Sequence, residues 1–550
     1  MAQMPLLSLI VFMPLLFAAL MALMPGNRGV RPMALVASLI QFGVSLLLFK
    51  YYDASTPALQ LVEQHSWIPE FGISYFIGVD GISLWLILLT TFLLPIVVLG
   101  SWNAIEQKVK AFHVALFALQ TAMLGSFVAM DLVLFYVFFE LSLVPMYFIV
   151  GIWGGARRVY ASMKFFIYTM AGSVLMLLAI IYLMFAARDT EGLGYFTANV
   201  LELYKLKLPF TADGLMSPQA LLFFAFSAAF AIKVPMFPVH TWLPDAHVEA
   251  PTPGSVVLAG VMLKMGTYGF VRFVIPMFPE AAEHFGWVFL FLGAVGIVYG
   301  ALVAMVQPDI KKLVAYSSVS HMGYVMLGIF AMNTYGMTGA LYQMLNHGIS
   351  TGALFLLVGM IYERTHSREI EKYGGLAKVL PIYTIIFFIV TLSSIAVPMT
   401  NGFVGEFLIL LGSFQASKLI GAIAVTGVIF GAVYMLWMFK RVFFGEKGEL
   451  VRDEKHPLHD LSVREIVVMA PLLVLIFWMG LLPNHFLKYS KSSIDHLMQN
   501  KDAYQLGVQT MGDAVNRSAS VLPGTLLPET QEADSKVTAK ANMTGAGVGR

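Results

Sequence analysis

The chain has 550 residues, 58% of them hydrophobic and 12% charged, with a formal net charge of +2 and a mean hydropathy of +0.78. A soluble chain of this length would divide into about three or four domains with polar surfaces, which this composition cannot supply. The same composition excludes a nucleic-acid-binding protein, and its continuous apolar runs exclude an outer-membrane barrel, whose strands alternate.

What remains is an all-α polytopic membrane protein. At about 22 residues per span, fourteen helices use roughly 310 residues, close to the apolar share. Apolar runs between polar, Gly or Pro breaks predict spans near 5–24, 32–51, 81–101, 112–130, 132–153, 160–186 and 218–239. The others fall near 254–276, 285–306, 312–331, 335–362, 380–413 (interrupted), 418–440 and 464–484. The first run has no basic segment before it and no clear small-residue cleavage site, so it reads as a retained helix rather than a signal peptide. Polar stretches at 53–79 and 187–216 separate early spans, and 486–550 reads as a polar, partly disordered tail outside the membrane domain of 1–485.

No cysteine is present, so the chain supplies neither thiolates for an iron–sulfur cluster nor a disulfide. Any electron chemistry belongs to other chains. Alternate loops hold Arg28 and Arg31, Lys108 and Lys110, Arg157 and Arg158, Lys311 and Lys312, Arg364, Arg368 and Lys372, and Lys440, Arg441, Lys447 and Arg452. The bias puts those loops on the cytoplasmic side and both termini on the other.

Val234-Pro235-Met236 in the seventh span recurs as Val397-Pro398-Met399 in the twelfth. Each proline lacks a helical N–H partner, and each stands close to an ionisable residue, Lys233 in one case and Glu406 in the other. Two broken helices at corresponding places are the pattern of transporter repeats.

An ionisable group in hydrocarbon costs at least about 2.5 to 3.5 kcal/mol, so each needs a partner, water or a function. Six stand out: Glu140, Lys233, Lys264, His321, His347 and Glu406. Glu140 lies about 8 residues, roughly 12 Å, into its helix, and Lys264 roughly 15 Å down, near the midplane of a core about 30 Å thick. Static alternatives exist for each: a register-fixing ion pair of Glu140 with Lys233, a Lys264 satisfied by backbone carbonyls, and neutral buried histidines. Taken together, however, acids, lysines and histidines spread over six helices form a chain of proton donors and acceptors. Lys164 and Arg272, nearer helix ends, read as snorkelling. The segment from His240 to Glu249 holds two histidines and two acids, but its spacing is no zinc signature and Pro244 interrupts ligand alignment; it reads as a loop carrying a broken helix, without a metal.

Ala231-Ile-Lys-Val-Pro-Met-Phe-Pro-Val-His-Thr-Trp-Leu-Pro-Asp-Ala-His-Val-Glu-Ala-Pro-Thr-Pro-Gly-Ser255, followed by Leu263-Lys-Met-Gly-Thr-Tyr-Gly269, closely resembles the signature of the antiporter-like subunits of respiratory complex I. Pro308-Asp-Ile-Lys-Lys-Leu-Val-Ala-Tyr-Ser-Ser-Val-Ser-His-Met-Gly-Tyr324 is a second match. The resemblance covers about residues 1–485. It implies a fourteen-helix subunit with two inverted five-helix repeats, near 112–276 and 285–440. Its site residues would be Glu140 and Lys233 as a coupling pair, Lys264, His321 and His347 as a central relay, and Glu406 leading to the exit. It further implies proton translocation within an NADH:quinone oxidoreductase, with NADH, FMN, iron–sulfur clusters and quinone handled by partner subunits, and with L-like and N-like antiporter-like subunits as membrane-arm neighbours in a bacterial cytoplasmic membrane. Glu406 stands where the L-type and N-type branches and the antiporter relatives carry lysine. The alternative is a subunit of a multisubunit sodium/proton antiporter or a membrane-bound hydrogenase.

Overall fold

In the computed structural model, residues 5–189, 192–211, 215–452 and 457–499 are described. Eleven helices among them are long and apolar enough to cross a membrane: α1 (Leu6–Leu23), α2 (Val30–Tyr51), α4 (Val109–Val128), α5 (Leu132–Trp153), α6 (Arg158–Arg188), α9 (Thr252–Met277), α10 (Pro279–Met305), α11 (Ile310–Phe330), α12 (Thr334–Thr365), α15 (Lys418–Phe443) and α16 (Val463–Leu481). Shorter apolar helices are α3 (Leu84–Gly100), α7 (Pro218–Lys233) and α13 (Pro381–Ser394). α8 (Trp242–Glu249) and α14 (Asn401–Ala416) continue α7 and α13 beyond their breaks.

Local chemistry sets the helix starts. The Asp131 side chain accepts from the N–H groups of Val133 and Leu134 at the start of α5, Asp309 caps α11 through Lys312 N–H, and Asn333 caps α12 through Gly336 N–H. Ser462 and Glu465 form a reciprocal capping box on α16. Helix order then sorts by burial. The most apolar windows of α9, α11 and α12 are 100%, 94% and 100% buried, whereas that of α15 is 28% buried. The three most enclosed spans are therefore the ones carrying Lys264, His321 and His347.

Both expected interruptions are present. α7 stops at Lys233, and Met236 N–H reaches back to Ala231 O at 2.8 Å; α13 stops at Ser394, and Val397 N–H reaches Leu392 O at 3.1 Å. In the second break Ala396 and Met399 take φ of 55° and 76°, a left-handed conformation uncommon for residues with a Cβ.

The polar stretch 53–79 holds a hairpin, β1 (Gln60–Ile68) and β2 (Ile73–Val79). Its Glu63 carboxylate receives Leu7 N–H at 2.9 Å and Ser8 N–H at 3.2 Å at the start of α1, where the helix dipole favours an anion. The boundary read at 485 needs correction. Residues 484–499 are helical, with Phe486, Ile494 and Met498 buried. Trp85 Nε1 donates to Phe486 O at 3.0 Å, Gly81 N–H donates to Ser493 Oγ at 3.0 Å, and Ser490 Oγ donates to Gly81 O at 2.6 Å. This segment is not among the helices long and apolar enough to cross a bilayer; its apolar side packs on the bundle. The rest of the tail, from 500 to 550, lies outside the described residues.

The basic loops meet at one end of the bundle. Arg31 Nη2 donates to Ile105 O at 2.7 Å, Trp153 Nε1 to Gln107 O at 2.8 Å, Arg157 N–H to Glu249 Oε2 at 2.8 Å, and Arg368 pairs with Asp309 at 3.2 Å. The hairpin, the 197–204 segment and the 484–499 helix meet at the other end.

Candidate functional site

The interior of the bundle is lined by four of the six ionisable residues singled out above. Lys264 stands in α9 between two π-helical stretches, Leu258–Met262 and Phe270–Val274; such widened turns inside α-helices occur frequently at functional sites. Its ammonium donates to Ala259 O, five residues back, at 2.5 Å. Its second partner is His347 Nδ1, 2.7 Å away on α12. The His347 and His321 rings lie 6.0 Å apart, centroid to centroid. On the far side His321 Nδ1 lies 3.0 Å from Glu406 Oε1. Lys264, His347, His321 and Glu406 thus form a line across four helices.

Polar side chains hold the Glu406 end of that line. Gln343 Nε2 donates to Glu406 Oε1 at 3.1 Å, and Asn346 Nδ2 donates to Gln343 Oε1 at 3.0 Å. His321, Gln343, Asn346, His347, Ser350 and Ser394 line a small cavity. His347 Nε2 and Asn346 Oδ1 are buried there without a protein partner, which is the polar lining that water needs to bridge a 6 Å gap between rings. Beyond it, the Ser350 and Ser393 hydroxyls are 2.6 Å apart and Ser393 Oγ donates to Asn401 Oδ1 at 2.5 Å, carrying the network into the α13–α14 break.

Glu140 and Lys233 lie together but are not in contact. Lys233 Nζ donates to Ser142 Oγ at 3.1 Å and sits over the Phe139 ring at 4.6 Å. Among the described residues no carboxylate oxygen comes within 4.0 Å of it. Glu140, two residues before Ser142 and so on another face of α5, has a buried Oε1 without a partner. The implied coupling pair is therefore open here. Lys233 ends α7, where backbone carbonyls favour a cation.

Two residues read as snorkelling are paired instead. Arg272 Nη2 lies 2.5 Å from Asp80 Oδ1, with side-chain exposures of 8% and 7%, while Tyr204 hydroxyl donates to Arg272 O at 2.5 Å and Arg272 Nε donates to Tyr268 hydroxyl at 3.2 Å. Burial pushes the Asp80 carboxyl up, but the guanidinium and the N–H groups of Ser83 and Ile82 outweigh it and hold it below its ordinary value. Lys164 bonds Asp245 of α8 at 2.7 Å. Asp80 lies 192 residues from its partner, a separation that periodicity in one sequence does not register. Within the His240–Glu249 segment, His240 packs on Phe237 and Tyr299 and His247 on Phe355. No cluster of three or more metal-ligating side chains occurs among the described residues.

A line of titratable side chains buried among spanning helices, two of which are interrupted, defines a polytopic membrane protein with a polar interior. Comparison with known proteins narrows the class. Residues 129–431 match the family described as NADH:quinone oxidoreductase/Mrp antiporter, TM, and residues 8–131 match NADH-ubiquinone oxidoreductase chain 4, amino terminus. NADH-quinone oxidoreductase subunit M of Rhodobacter capsulatus is 47% identical over 93% of this chain and 99% of its own. NADH-ubiquinone oxidoreductase chain 4 of Arabidopsis thaliana is 43% identical over 90% and 97%. Among solved structures, a chain of respiratory complex I from Thermus thermophilus with bound NADH aligns with a TM-score of 0.79 and 32% identity, covering 90% of this chain and 100% of that one. A chain of the Mrp complex from Dietzia sp. DQ12-45-1b aligns with a TM-score of 0.78 over 92% and 99%, but at 22% identity it speaks to the fold alone. The chain belongs to the NADH:quinone oxidoreductase/Mrp antiporter family, in the branch of subunit M and chain 4.

Proposed function

We propose that this chain is a proton-translocating membrane-arm subunit of an NADH:quinone oxidoreductase, and that the line Lys264, His347, His321, Glu406 carries the proton. The observation that bears most weight is the pair of short contacts at its two ends, Lys264 to His347 at 2.7 Å and His321 to Glu406 at 3.0 Å. A proton donated by the Lys264 ammonium to His347 passes through water in the cavity to His321 and on to the Glu406 carboxylate, leaving Lys264 a neutral amine to be recharged. Glu140 and Lys233 act as the gate. Movement of the Lys233 ammonium from Ser142 to Glu140 changes the field at the central lysine and biases whether it holds its proton.

In this reading the basic loops face the bacterial cytoplasm, the shorter and interrupted helices complete fourteen spans in two inverted repeats, and L-like and N-like subunits flank the chain in the membrane. NADH, FMN and quinone are bound by partner subunits, as the family resemblance implies, and the iron–sulfur clusters are held there too, since this chain offers no thiolate. The alternative, a subunit of a sodium/proton antiporter, shares the fold; it predicts sodium-dependent growth at alkaline pH rather than dependence on NADH.

The test follows NADH oxidation and the proton gradient in one preparation of native membrane vesicles carrying Lys233→Ala. The expected result is that both fall together while the complex remains assembled. If both persist at the wild-type level, the assignment of Lys233 fails.

A further inference from the structure

Between the central line and the hairpin end of the bundle lies a buried layer of charge that the mechanism above leaves unused. Lys264 is followed on α9 by Tyr268, one turn on, and by Arg272, eight residues and so about 12 Å nearer the hairpin end. Every residue from 263 to 275 is buried, so no solvent-exposed position interrupts α9 between the two cations. An ion pair at this depth calls for a reason, because apolar side chains of similar volume commonly stabilise a core as well or better.

The protons of this layer are committed. The Tyr268 hydroxyl donates to Phe127 O at 3.0 Å and accepts from Arg272 Nε at 3.2 Å. The Tyr204 hydroxyl donates to Arg272 O at 2.5 Å. Both hydroxyl protons thus point at backbone carbonyls, which accept a hydrogen bond but do not take up a proton and pass it on. Asp80 Oδ1 accepts from Arg272 Nη2 at 2.5 Å and from the N–H groups of Ile82 and Ser83 at 3.0 and 3.1 Å, contacts that favour the carboxylate over the acid. The guanidinium keeps its protons at all working pH values. Next to Asp80, Gly81 is held by Ser493 at 3.0 Å and Ser490 at 2.6 Å, which closes the layer on its far side. The other side of Lys264 is the opposite case: there His347 Nε2 and Asn346 Oδ1 are open and line a cavity.

We propose that Arg272, held in place by Asp80, is the barrier that closes the hairpin side of Lys264 to protons, so that a proton on the central lysine leaves only through His347, His321 and Glu406. This rests on the reading of the chain as a proton-translocating subunit. The Asp80 charge keeps a guanidinium inside the membrane. The guanidinium offers only N–H donors that never release their protons, so hopping from group to group stops there. An arginine set across an aqueous pore excludes protons by the same chemistry. The competing role is a structural tie between the turn before α3 and α9, which requires a well-packed pair but not a group that withholds its proton.

Arg272→Lys in the whole complex separates the two, because it keeps the cation and a donor for Asp80 but introduces a proton that can leave. In inverted vesicles the expected result is NADH oxidation at the wild-type rate or above, with loss of most of the gradient it builds. Once oxidation is stopped, the remaining gradient should collapse faster by on the order of a hundredfold, the lower end of what one positioned proton-transfer group contributes. Adding Lys264→Leu to Arg272→Lys should abolish this leak, since it runs through the central lysine. A wild-type gradient in Arg272→Lys, or oxidation and gradient falling together, shows a structural tie only, and a leak that persists in the double variant shows loosened packing; each overturns the proposal. Should Arg272→Lys assemble poorly on native gels, the neutral pair Asp80→Asn with Arg272→Gln, which still forms hydrogen bonds, takes its place with the same expectation. Lys264→Leu alone is measured beside them. If it pumps normally, the underlying reading of the central line fails, whereas loss in Lys264→Leu with a tight Arg272→Lys counts against the barrier alone.

Discussion

Lys264 Nζ and His347 Nδ1 are 2.7 Å apart, between two helices whose spanning windows are wholly buried. Two cations at that separation repel strongly in a medium of low dielectric, so the amine and the imidazole are not both charged at once.

Replacing His347 by phenylalanine fills the space but removes the acceptor, leaving Lys264 with Ala259 O alone. The expected outcome is a loss of about a hundredfold or more in proton translocation, the range for deleting a positioned acid–base group. Proton uptake per NADH oxidised in inverted vesicles measures it.

Gly405 controls the other end of the line. A Cβ there would overlap Gln343 Oε1 and stand 2.7 Å from Asn346 Nδ2, displacing the amide that donates to Glu406. Gly405→Ala should cost about 1 to 3 kcal/mol of stability and lower pumping by a comparable factor, whereas Gly431→Ala, where a Cβ meets nothing within 4 Å, should leave both unchanged. Thermal inactivation of NADH-driven pumping distinguishes the two.

The Asp80–Arg272 pair ties the turn before α3 to the second π-helical stretch of α9. Asp80→Ala leaves an uncompensated buried guanidinium and should destabilise the subunit by about 3 to 5 kcal/mol, while the double replacement Asp80→Leu with Arg272→Met should recover most of it. The yield and melting temperature of the detergent-solubilised complex test this; a double variant as unstable as the single one would show that the charges are needed in themselves.

Much of this architecture is legible in the residues. Pro235 and Pro398 locate the two breaks, and the charges of Lys264, His321 and His347 inside apolar runs mark the three most enclosed spans, since a charge facing lipid would be expelled. Other features are not legible because their cause lies far away in sequence. Arg272 looks like a snorkelling residue until Asp80 folds against it. The openness of Glu140 and Lys233 depends on which side of α5 meets α7. The hairpin at 60–79 and the helix at 484–499 escape a search for bilayer-length apolar runs because each buries only one face. The π-helical turns around Lys264 have no local signature.

The most direct measurement replaces Lys264 with leucine, of similar girth and without charge, and follows NADH oxidation and the proton gradient together in vesicles containing the assembled complex. Loss of the gradient, with NADH oxidation falling alongside it, is the expected result, because leucine offers His347 neither the charge nor the donor that stands 2.7 Å from its Nδ1. A full gradient at the wild-type rate of NADH oxidation would contradict it, and would make the buried lysine, the two histidines and Glu406 a structural feature of the bundle.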